Sequence, residues 1–595
     1  MPDRRLRGEE HPWRRILLAW LAVSVMLLAG TAGKIAVLQF PDPDDVLRLV
    51  QVRDLLAGQD WFDLRQHRLD PVNAVPMHWS RLVDIPLALV IGGLTPLLGS
   101  VLAEQIAVVV VPLLTLLVAM LFVGRMAWRL FDIETAGLAC LAVGFLPIVI
   151  YQLQPLRIDH HGWQICAVIA AMWAINGRHG CKGGALAGLA MAAGITISLE
   201  LLPVAALFGG VLALRWLRDP RQHPWLVFYL QSLAVTKAGL FLLTRGLTDL
   251  TPYCDAVTLP HISLFATVAL GATLLSLAAP LRWPGLVLGL AASGAAGLAM
   301  FGYASPECLR TPFGALDPLV RDFWYVNVLE GRPVWDQPPL IYPLMLQILV
   351  GFAVALHLCS KAAGWQRQWW TDYLLVFAGT ILLGLLVWRS MAFASILAAL
   401  PLGYLLQRAL AALRRLQQPH RRLALMAAML VVLIPTAPVA LAQHLSADSK
   451  GKGKAPLAQS SCDLFASAAK LSRLEQGTIL APLDIGPALI QRSPHAVLAT
   501  GHHRAEAAMR EVISGFLSPP PQTREMLRRH DVDYVVLCTD LIEPSLYLKR
   551  GGESSFAHQL ILGTPPAWLE PVDLGTPETF RIWRVRPDGT SSPRR

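Results

Sequence analysis

The chain has 595 residues, of which 54% are hydrophobic and only 15% are charged. Soluble globular proteins carry about 25% charged residues, so the composition excludes an ordinary soluble enzyme. The formal net charge is +10, but the Lys and Arg residues cluster at the ends of apolar runs, where membrane topology explains them better than nucleic-acid binding does. Residues 1–442 consist largely of such runs, and residues 443–595 have a soluble composition. This predicts a membrane domain followed by a C-terminal domain.

The first apolar run, Ile16 to Leu38, follows five Arg residues and has no clean cleavage site before Lys34. We interpret it as an uncleaved span with a cytoplasmic N-terminus. Residues 41–82 are then expected on the outer side. We interpret residues 84–99, which contain two Pro and three Gly, as an interfacial or re-entrant segment, because the next run must end on the cytoplasmic side.

That next run, 104–124, ends in Arg125 and Arg129. Basic loops alternate with apolar runs from there on, which gives about 13 crossings in all and puts the C-terminal domain outside. The remaining predicted spans are 135–153, 163–176, 183–199, 201–214, 225–243, 263–280, 284–302, 340–358, 371–387, 390–407 and 423–442. The predicted location is a bacterial inner membrane, with three loops (41–82, 154–162 and 303–339) and the C-terminal domain in the periplasm.

The first outer loop carries Asp42, Asp44 and Asp45 at the end of a span. Three acids there can bind a hard divalent cation. The alternative is an acidic turn, or an Asp N-cap on a helix that starts near Val46.

Arg157-Ile158-Asp159-His160-His161 forms the second polar site, in which Asp and His can share a metal. The alternative is an interfacial polar turn. The third outer loop carries five acids, each of which alone is typical of a solvated charge: Glu307, Asp317, Asp322, Glu330 and Asp336.

Arg389 follows a predicted span at its outer end. It can clamp the phosphate of a lipid substrate, or it can be an arginine that snorkels to the membrane surface.

The tail alternates predicted helices and strands, which favours a small α/β domain. We predict helices near 462–475, 505–516 and 522–529, and strands at 478–480, 496–498, 534–537 and 580–583. Gly501-His502-His503-Arg504 is either a surface turn or a contact for the acceptor or the donor. A disulfide between Cys462 and Cys538 is left open by their spacing.

Together these motifs resemble the catalytic subunit of oligosaccharyltransferase, a GT-C-fold membrane glycosyltransferase. That family has Asp-Pro, four residues and then Arg in its first outer loop, as in Asp42-Pro43 with Arg48. It then has a segment like His78-Trp79-Ser80-Arg81. Its second motif, DHHxxE, matches Asp159-His160-His161, with Gln164 in place of the final acid.

The family's third motif, SVSE or TIxE, loosely matches the segment from Asn327 to Glu330, and Arg389 stands where the family has Arg after a late span. The chain departs from the family at WWDYG, the segment with which the family recognises the hydroxyl of Asn-x-Ser/Thr. The nearest segment here is Pro482-Leu483-Asp484-Ile485-Gly486, which has no Trp.

The resemblance implies a GT-C fold and transfer of a sugar or oligosaccharide from a polyprenyl-(pyro)phosphate carrier to a periplasmic acceptor. The missing Trp pair favours a lipid, a glycan or a differently marked protein over the Asn-x-Ser/Thr sequon as that acceptor. The resemblance also implies Asp42 as metal ligand and base, with Arg48 orienting it, and Glu330 as a ligand or acceptor-positioning group. Asp159 and His161 become ligands of Mn²⁺ or Mg²⁺, and Arg389 holds the donor phosphate. Further candidate acceptor or donor contacts are Asp44, Asp45, His78, Trp79, His160, Asp484, His502 and His503.

Three alternatives remain open at this stage. A sequon-dependent oligosaccharyltransferase would share the catalytic motifs. A lipid-linked glycan transporter or flippase would carry its charges at mid-depth in the membrane rather than at one face. A purely structural assembly protein would need no acidic loops.

Overall fold

The computed structural model describes residues 11–278, 281–309, 316–439 and 460–586. Arg4, Arg5 and Arg7, the Lys450–Lys454 stretch and Arg595 lie outside these ranges. The chain forms two compact units. The first contains Met1–Ile35, Trp79–Pro312 and Leu329–Gly453, and the second contains Ala36–His78, Phe313–Val328 and Lys454–Arg595.

The first unit is helical throughout its described residues. Its helices are Trp13–Ala36, Arg81–Leu98, Ser100–Leu130, Ile133–Gly144, Pro147–Tyr151, His161–Ile175, Gly180–Ile197, Leu202–Arg218, His223–Thr244, Leu259–Leu277, Trp283–Ala304, Met345–Lys361, Gly364–Leu386, Met391–Arg415 and Pro419–Leu433. Eleven helical segments of the described chain are long and apolar enough to cross a membrane, and two shorter apolar helices accompany them. The expectation of a multi-pass helical protein is confirmed at this level.

Three stretches differ from the sequence interpretation, and one of them is the predicted span 135–153, which consists of two helices, Ile133–Gly144 and Pro147–Tyr151. Residues 84–99 do not form a broken interfacial segment, because a continuous helix of 18 residues runs from Arg81 to Leu98 through Pro86 and Pro96. It meets the length and hydropathy expected of a crossing. The last predicted span, 423–442, corresponds to a 15-residue helix that ends at Leu433.

Small residues let two helices of the first unit approach closely. Gly184 and Gly188, four residues apart on helix Gly180–Ile197, face Trp225 and Tyr229 of the neighbouring helix. A Cβ at either glycine would overlap a backbone carbonyl there. Such small-xxx-small spacing is how helices pack inside a bilayer, where burial of apolar surface gives little drive for association.

Basic residues meet at one end of the helical bundle. The Arg125 guanidinium lies 5.2 Å from the Trp13 ring centre, and Arg129 and Arg178 lie 5.4 and 5.3 Å from the Trp365 ring centre. These contacts join the start of the first helix to the end of Ser100–Leu130 and the start of Gly364–Leu386. Helix His161–Ile175 runs from this basic end towards the opposite one, where Asp159 lies.

The second unit contains a five-stranded mixed sheet. Its strands are β3 (Thr478–Leu480), β4 (Ala496–Val497), β5 (Val532–Cys538), β6 (Leu569–Pro571) and β7 (Phe580–Val585), in the order β4-β3-β5-β7-β6. β3 pairs in parallel with β4 and β5, and β7 pairs antiparallel with β5 and β6. Each of the four strands predicted in the tail has a counterpart here. The short strands β1 (Arg65–Gln66) and β2 (Val75–Pro76) form a separate hairpin.

The helices of the second unit are Pro43–Leu56, Pro318–Phe323, Leu464–Lys470, Gly486–Arg492, Glu506–Leu517, Pro520–Arg529, Ile542–Gly551 and Phe556–Ile561. Two segments that the sequence division assigned to the membrane domain, 36–78 and 313–328, therefore belong with the C-terminal residues.

The segment predicted to be the first outer loop extends the sheet of the second unit. Leu69 bridges Val497 at the β4 edge, and Arg68 donates to the carbonyls of Ile490 and Ser493 at 2.9 and 3.0 Å. Arg53 donates to the Gln491 carbonyl at 2.8 Å. The last carbonyls of a helix have no partner within the helix, so these arginines satisfy acceptors at the end of Gly486–Arg492.

Candidate functional site

Asp159 is held in place by its two neighbours at the start of helix His161–Ile175. Its Oδ2 accepts from Arg157 Nη2 at 2.8 Å and from His161 Nδ1 at 2.6 Å. Its Oδ1 accepts from the His161 backbone N–H at 3.1 Å. All three residues are buried. The carboxylate therefore has hydrogen bonds to both of its oxygens, and it fixes the orientation of the His161 ring.

The second nitrogen of that ring, His161 Nε2, is buried and has no hydrogen-bond partner among the described residues. A histidine that binds a metal usually donates its other ring N–H to a carboxylate, as Nδ1 does here. The donor set thus fits a divalent ion, with His161 as the direct ligand. His160 stacks on the His161 ring at 4.2 Å between ring centres. Asp159, His160 and His161 can bring one ligand atom each within 4.8 Å of one another.

The charge state of Asp159 follows from its surroundings. Burial by itself raises the pKa of this carboxyl, but the nearby Arg157 guanidinium and His161 ring oppose the effect and hold the pKa well below its ordinary value. Asp159 is consequently ionised at neutral pH despite being only 2% exposed. A permanent carboxylate is what orientation of a metal-binding imidazole requires.

The sequence analysis missed one acid of this site, Glu200. Its Oε1 lies 2.5 Å from Arg389 Nη2. Its Oε2 accepts from Gln164 Nε2 at 3.4 Å and lies 4.0 Å from His160 Nε2. A signal existed, because Glu200 is the sole acid between the predicted spans 183–199 and 201–214. An ionisable residue at such a junction is by default a functional candidate.

Arg389 joins two carboxylates. Besides Glu200, its Nη1 lies 3.4 Å from Glu330 Oε1. The Trp388 backbone N–H donates to the Arg332 carbonyl at 2.9 Å, which ties this turn to the loop that carries Glu330. A pocket lined by His161, Gln164, Glu200, Arg389 and Ser390, together with Ala392 and Phe393, opens beside these groups. The arrangement combines an oriented imidazole, two carboxylates and a guanidinium at one end of the bundle.

In the second unit, Asp42 is the N-cap of helix Pro43–Leu56 and accepts from the Asp44 backbone N–H at 3.0 Å. This is the N-cap that the sequence offered as the alternative to a metal site. Asp45 and Arg48 on the same helix are fully buried. Burial of both charges means that the segment is packed and is not a loose acidic turn.

The second unit also brings three histidines together. His78 Nδ1 lies 3.0 Å from His502 Nε2, and His503 completes the group. Trp79, the next residue in the motif, is 1% exposed and belongs to the first unit.

The segment Pro482–Gly486 is anchored by Glu543. Its two carboxylate oxygens accept from the backbone N–H groups of Leu483 and Asp484 at 2.9 and 2.8 Å, and one of them also accepts from the Tyr547 hydroxyl at 2.8 Å. Burial, and secondarily the charge of Asp484, raise the pKa of Glu543 to about 8. Leu483 and Ile485 are buried, so neither presents a side chain for recognition.

The predicted residues thus fall into two sets. Asp159, His160, His161, Glu330 and Arg389 lie in the first unit, where Glu200 connects them. The second unit contains Asp42, Asp44, Asp45, Arg48, His78, Asp484, His502 and His503. A metal site shared by Asp42, Asp159, His161 and Glu330 stays a prediction.

No protein-family model matches the chain, and no curated protein matches it. Solved structures of the Archaeoglobus fulgidus oligosaccharyltransferase do. The archaeal enzyme, AglB, in complex with an inhibitory peptide and a dolichol-phosphate, matches with a TM-score of 0.61 at 12% identity. The match covers 96% of the present chain and 76% of the archaeal one. The form tethered to an acceptor peptide containing the NVT sequon has a TM-score of 0.58 at 10% identity over the same shares.

A third structure of the archaeal enzyme, a complex with Zn and sulfate, has a TM-score of 0.56 at 11% identity, over 87% of this chain and 67% of that one. At such identities the likeness establishes the fold alone. The chain has the fold of the archaeal oligosaccharyltransferase, which is the GT-C fold that the sequence resemblance implies.

Proposed function

We propose that this protein is a metal-dependent membrane glycosyltransferase that moves a sugar or oligosaccharide from a polyprenyl-(pyro)phosphate carrier to an acceptor other than the Asn-x-Ser/Thr sequon. One observation carries the proposal: oriented His161 and the ion-paired Glu200, Arg389 and Glu330 meet at one end of the bundle. The fold supports it, since the structures that share the fold are of an oligosaccharyltransferase bound to dolichol-phosphate or to an acceptor peptide.

A divalent ion, Mn²⁺ or Mg²⁺, would be held by His161 Nε2 with carboxylate oxygen from Glu200, Glu330 or Asp42. Asp159 would orient that ring through Oδ2 and would bind the ion through Oδ1, which accepts only the His161 backbone N–H among the bonds described above. The ion would supply Lewis-acid stabilisation of the negative charge on the leaving phosphate. An imidazole ligand makes Mn²⁺ at least as suitable as Mg²⁺.

Arg389 would bind the phosphate of the carrier. A guanidinium offers several donors in a fixed plane, which suits bidentate binding of phosphate oxygens. In the structure its donors face Glu200 and Glu330 at 2.5 and 3.4 Å. The two carboxylates thereby hold the guanidinium beside the pocket, and phosphate oxygens would take over part of these contacts.

The acceptor hydroxyl or amine has to be oriented and to lose a proton as the glycosidic bond forms. A carboxylate within hydrogen-bond reach can take that proton. Asp42 fills this role in our proposal, with Glu330 positioning the acceptor and Arg48 positioning Asp42.

The acceptor class follows from the segment Pro482–Gly486. A site that hydrogen-bonds its substrate discriminates strongly against analogues that lack the group, whereas an apolar site discriminates weakly. Here Leu483 and Ile485 are buried, and the Leu483 and Asp484 backbone N–H groups are used by Glu543. These residues leave no indole donor for a Ser or Thr hydroxyl, which supports a lipid, glycan or differently marked protein as acceptor.

The disulfides support an outward location for the C-terminal residues. Cys462 pairs with Cys538, and Cys254 pairs with Cys308. Disulfides persist in oxidising compartments such as the bacterial periplasm. We therefore propose that the second unit and the loops that carry Cys254 and Cys308 face that compartment in a bacterial inner membrane.

The deciding assay uses the purified chain, a lipid-linked sugar, Mn²⁺ and two peptides, one with Asn-x-Thr and one with Asn-x-Ala, beside a membrane-lipid extract as acceptor. We expect sugar on the lipid or glycan fraction and neither peptide labelled. Efficient transfer to the Asn-x-Thr peptide alone would establish the sequon-dependent alternative.

The flippase alternative predicts a different result in the same preparation. It would move the lipid-linked sugar across proteoliposome membranes and form no new glycosidic bond in any fraction. Mass spectrometry of every fraction for a new glycosidic product distinguishes a transferase from a flippase. If the lipid-linked sugar is transported and no such product forms, the proposed transferase activity is refuted.

A further inference from the structure

The three histidines of the second unit come from chain segments that lie far apart in the sequence. His78 ends the first outer loop, and His502 and His503 follow β4 by a few residues. The three ring centres lie 5.1, 4.9 and 5.0 Å apart, so they form a nearly regular triangle. His502 is 3% exposed. Surface side chains that lay together only by chance would not bury the His502 ring.

The backbone around the group is fixed from both sides. Arg504 donates to the carbonyls of Pro76 and Met77 at 3.2 and 3.4 Å, directly beside His78 in the chain. The Ala505 N–H donates to the His502 carbonyl at 2.8 Å, which closes the short turn that carries both histidines. The imidazoles are consequently presented by two segments that are already joined by hydrogen bonds.

The distances suit a single small ion. One ring nitrogen from each histidine lies within 4.8 Å of the others, and His78 Nδ1 and His502 Nε2 are 3.0 Å apart. Nitrogen ligands around tetrahedral zinc lie about 2.0–2.1 Å from the metal, and hence about 3.4 Å from each other. Small rotations of the rings span the difference.

We propose that His78, His502 and His503 form a site for a divalent transition metal of the zinc class. The residues that can offer ligand atoms to one ion here are three imidazoles. Hard cations such as Mg²⁺ and Ca²⁺ prefer oxygen ligands, whereas imidazole suits Zn²⁺, Co²⁺, Ni²⁺ and Cu²⁺. Three histidines leave a fourth position for water or an oxygen ligand. The ion would join the first outer loop to the C-terminal residues, a role that goes beyond the proposed sugar transfer.

Co²⁺ is the probe, because its visible absorption reports coordination, and Zn²⁺ displaces it. The purified full chain carries His161→Ala, so that the candidate ion site of the first unit does not contribute. We expect one Co²⁺ per chain, displaced by Zn²⁺, with affinity reduced at least about 100-fold by His502→Ala or His503→Ala, since loss of even an outer-shell partner costs 10–100-fold. His67→Ala is the matched control, because His67 lies in the same loop but is exposed and paired with Asp63.

A second variant distinguishes the loss of a metal ligand from a failure of the protein to fold. His503→Cys replaces one imidazole by a thiolate, and a bound Co²⁺ should then show a thiolate-to-metal charge-transfer band that the parent lacks. Unchanged Co²⁺ affinity in His502→Ala and His503→Ala, or binding by His503→Cys without the new band, would overturn the proposal. Loss of binding in both Ala variants and retention in His67→Ala would support it.

Discussion

Asp159 and Glu543 are carboxylates of almost equal burial, 2% and 5% exposed, with opposite charge states. Burial raises the pKa of both. At Asp159 the Arg157 guanidinium and the His161 ring more than offset it, and the pKa falls well below its usual range. At Glu543 the nearest charge is another carboxylate, Asp484, and the pKa rises to about 8. The sign of the neighbouring charge decides the outcome.

This difference separates a carboxylate of the candidate site from a structural one. Asp159 is held ionised where it orients a ring whose Nε2 has no hydrogen-bond partner among the described residues. Glu543 is largely protonated at neutral pH, and it secures the backbone of Leu483 and Asp484. Both carboxylates accept three hydrogen bonds, so the number of bonds alone would not distinguish them.

The contrast between Asp159 and Glu543 is tested most directly by replacing each carboxylate by its amide. We expect Asp159→Asn to lower kcat/KM by about 100-fold or more, because loss of an orienting carboxylate costs 10–100-fold in metal affinity or activity and the buried Arg157 also loses its counter-ion. Glu543→Gln is the matched control, and its activity should stay within about twofold of wild type. Transfer assays with titrated Mn²⁺ measure both, and equal losses in the two variants would contradict the distinction.

The second prediction concerns Glu200, which only the structure identifies. Glu200→Gln removes the closer of the two carboxylates around Arg389, and we expect kcat/KM for the lipid donor to fall about 30-fold, in the range of a lost hydrogen bond to a charged group. Glu330→Gln, whose oxygen lies 3.4 Å from Arg389 rather than 2.5 Å, should raise the KM for the lipid donor less than Glu200→Gln does, since its proposed role is towards the acceptor. Initial rates against donor concentration give the values. An equal or larger rise in the donor KM of Glu330→Gln would contradict this ordering of the two carboxylates around Arg389.

The contrast between Asp159 and Glu200 shows how much of the candidate site can be predicted from the sequence. Adjacent residues such as Arg157, Asp159 and His161 can be read as one polar site, because the interacting groups are neighbours in the chain. Glu200 and Arg389 are 189 residues apart, and nothing in either segment indicates the other. The strands of the tail could be predicted from short β-branched runs, whereas helix Gly486–Arg492 begins with Gly and Pro and was missed.

The sequence also could not predict which loop segments group with the C-terminal residues. Residues 36–78 join the C-terminal residues through the Leu69–Val497 bridge and the Arg53 and Arg68 hydrogen bonds. A strand pairing of this separation depends on which edge of a sheet is left open, which composition does not encode.

A third prediction tests whether Arg389 acts through its shape or only through its charge. Arg389→Lys keeps the positive charge but loses the planar set of donors. We expect about a tenfold rise in KM for the lipid-linked donor with a smaller change in kcat. Arg332→Lys is the matched control, because Arg332 forms a more exposed ion pair with Asp336 in the same region. A kinetic profile of Arg389→Lys equal to wild type would leave charge alone as the requirement.

The smallest expected effect returns to Glu543. Its pKa in the folded protein, about 8, is above the ordinary value of 4.5, so the folded state binds the proton more tightly than the unfolded state does. The stabilisation is fully present below about pH 4.5 and is lost as the pH rises through 8.

Asp484→Asn removes the like charge, which lowers the pKa of Glu543 and flattens this dependence. Amide hydrogen exchange of β3 and β5, measured from pH 5 to 8.5 and corrected for intrinsic rates, should show equal protection in wild type and variant at the acid end. At the alkaline end the variant should be better protected, by about 1 kcal/mol or the equivalent of one pKa unit. Glu553→Gln, an exposed carboxylate of the same unit, controls for net charge. Protection that rises with pH in wild type would show that the hydrogen bonds from Leu483, Asp484 and Tyr547 outweigh burial at Glu543.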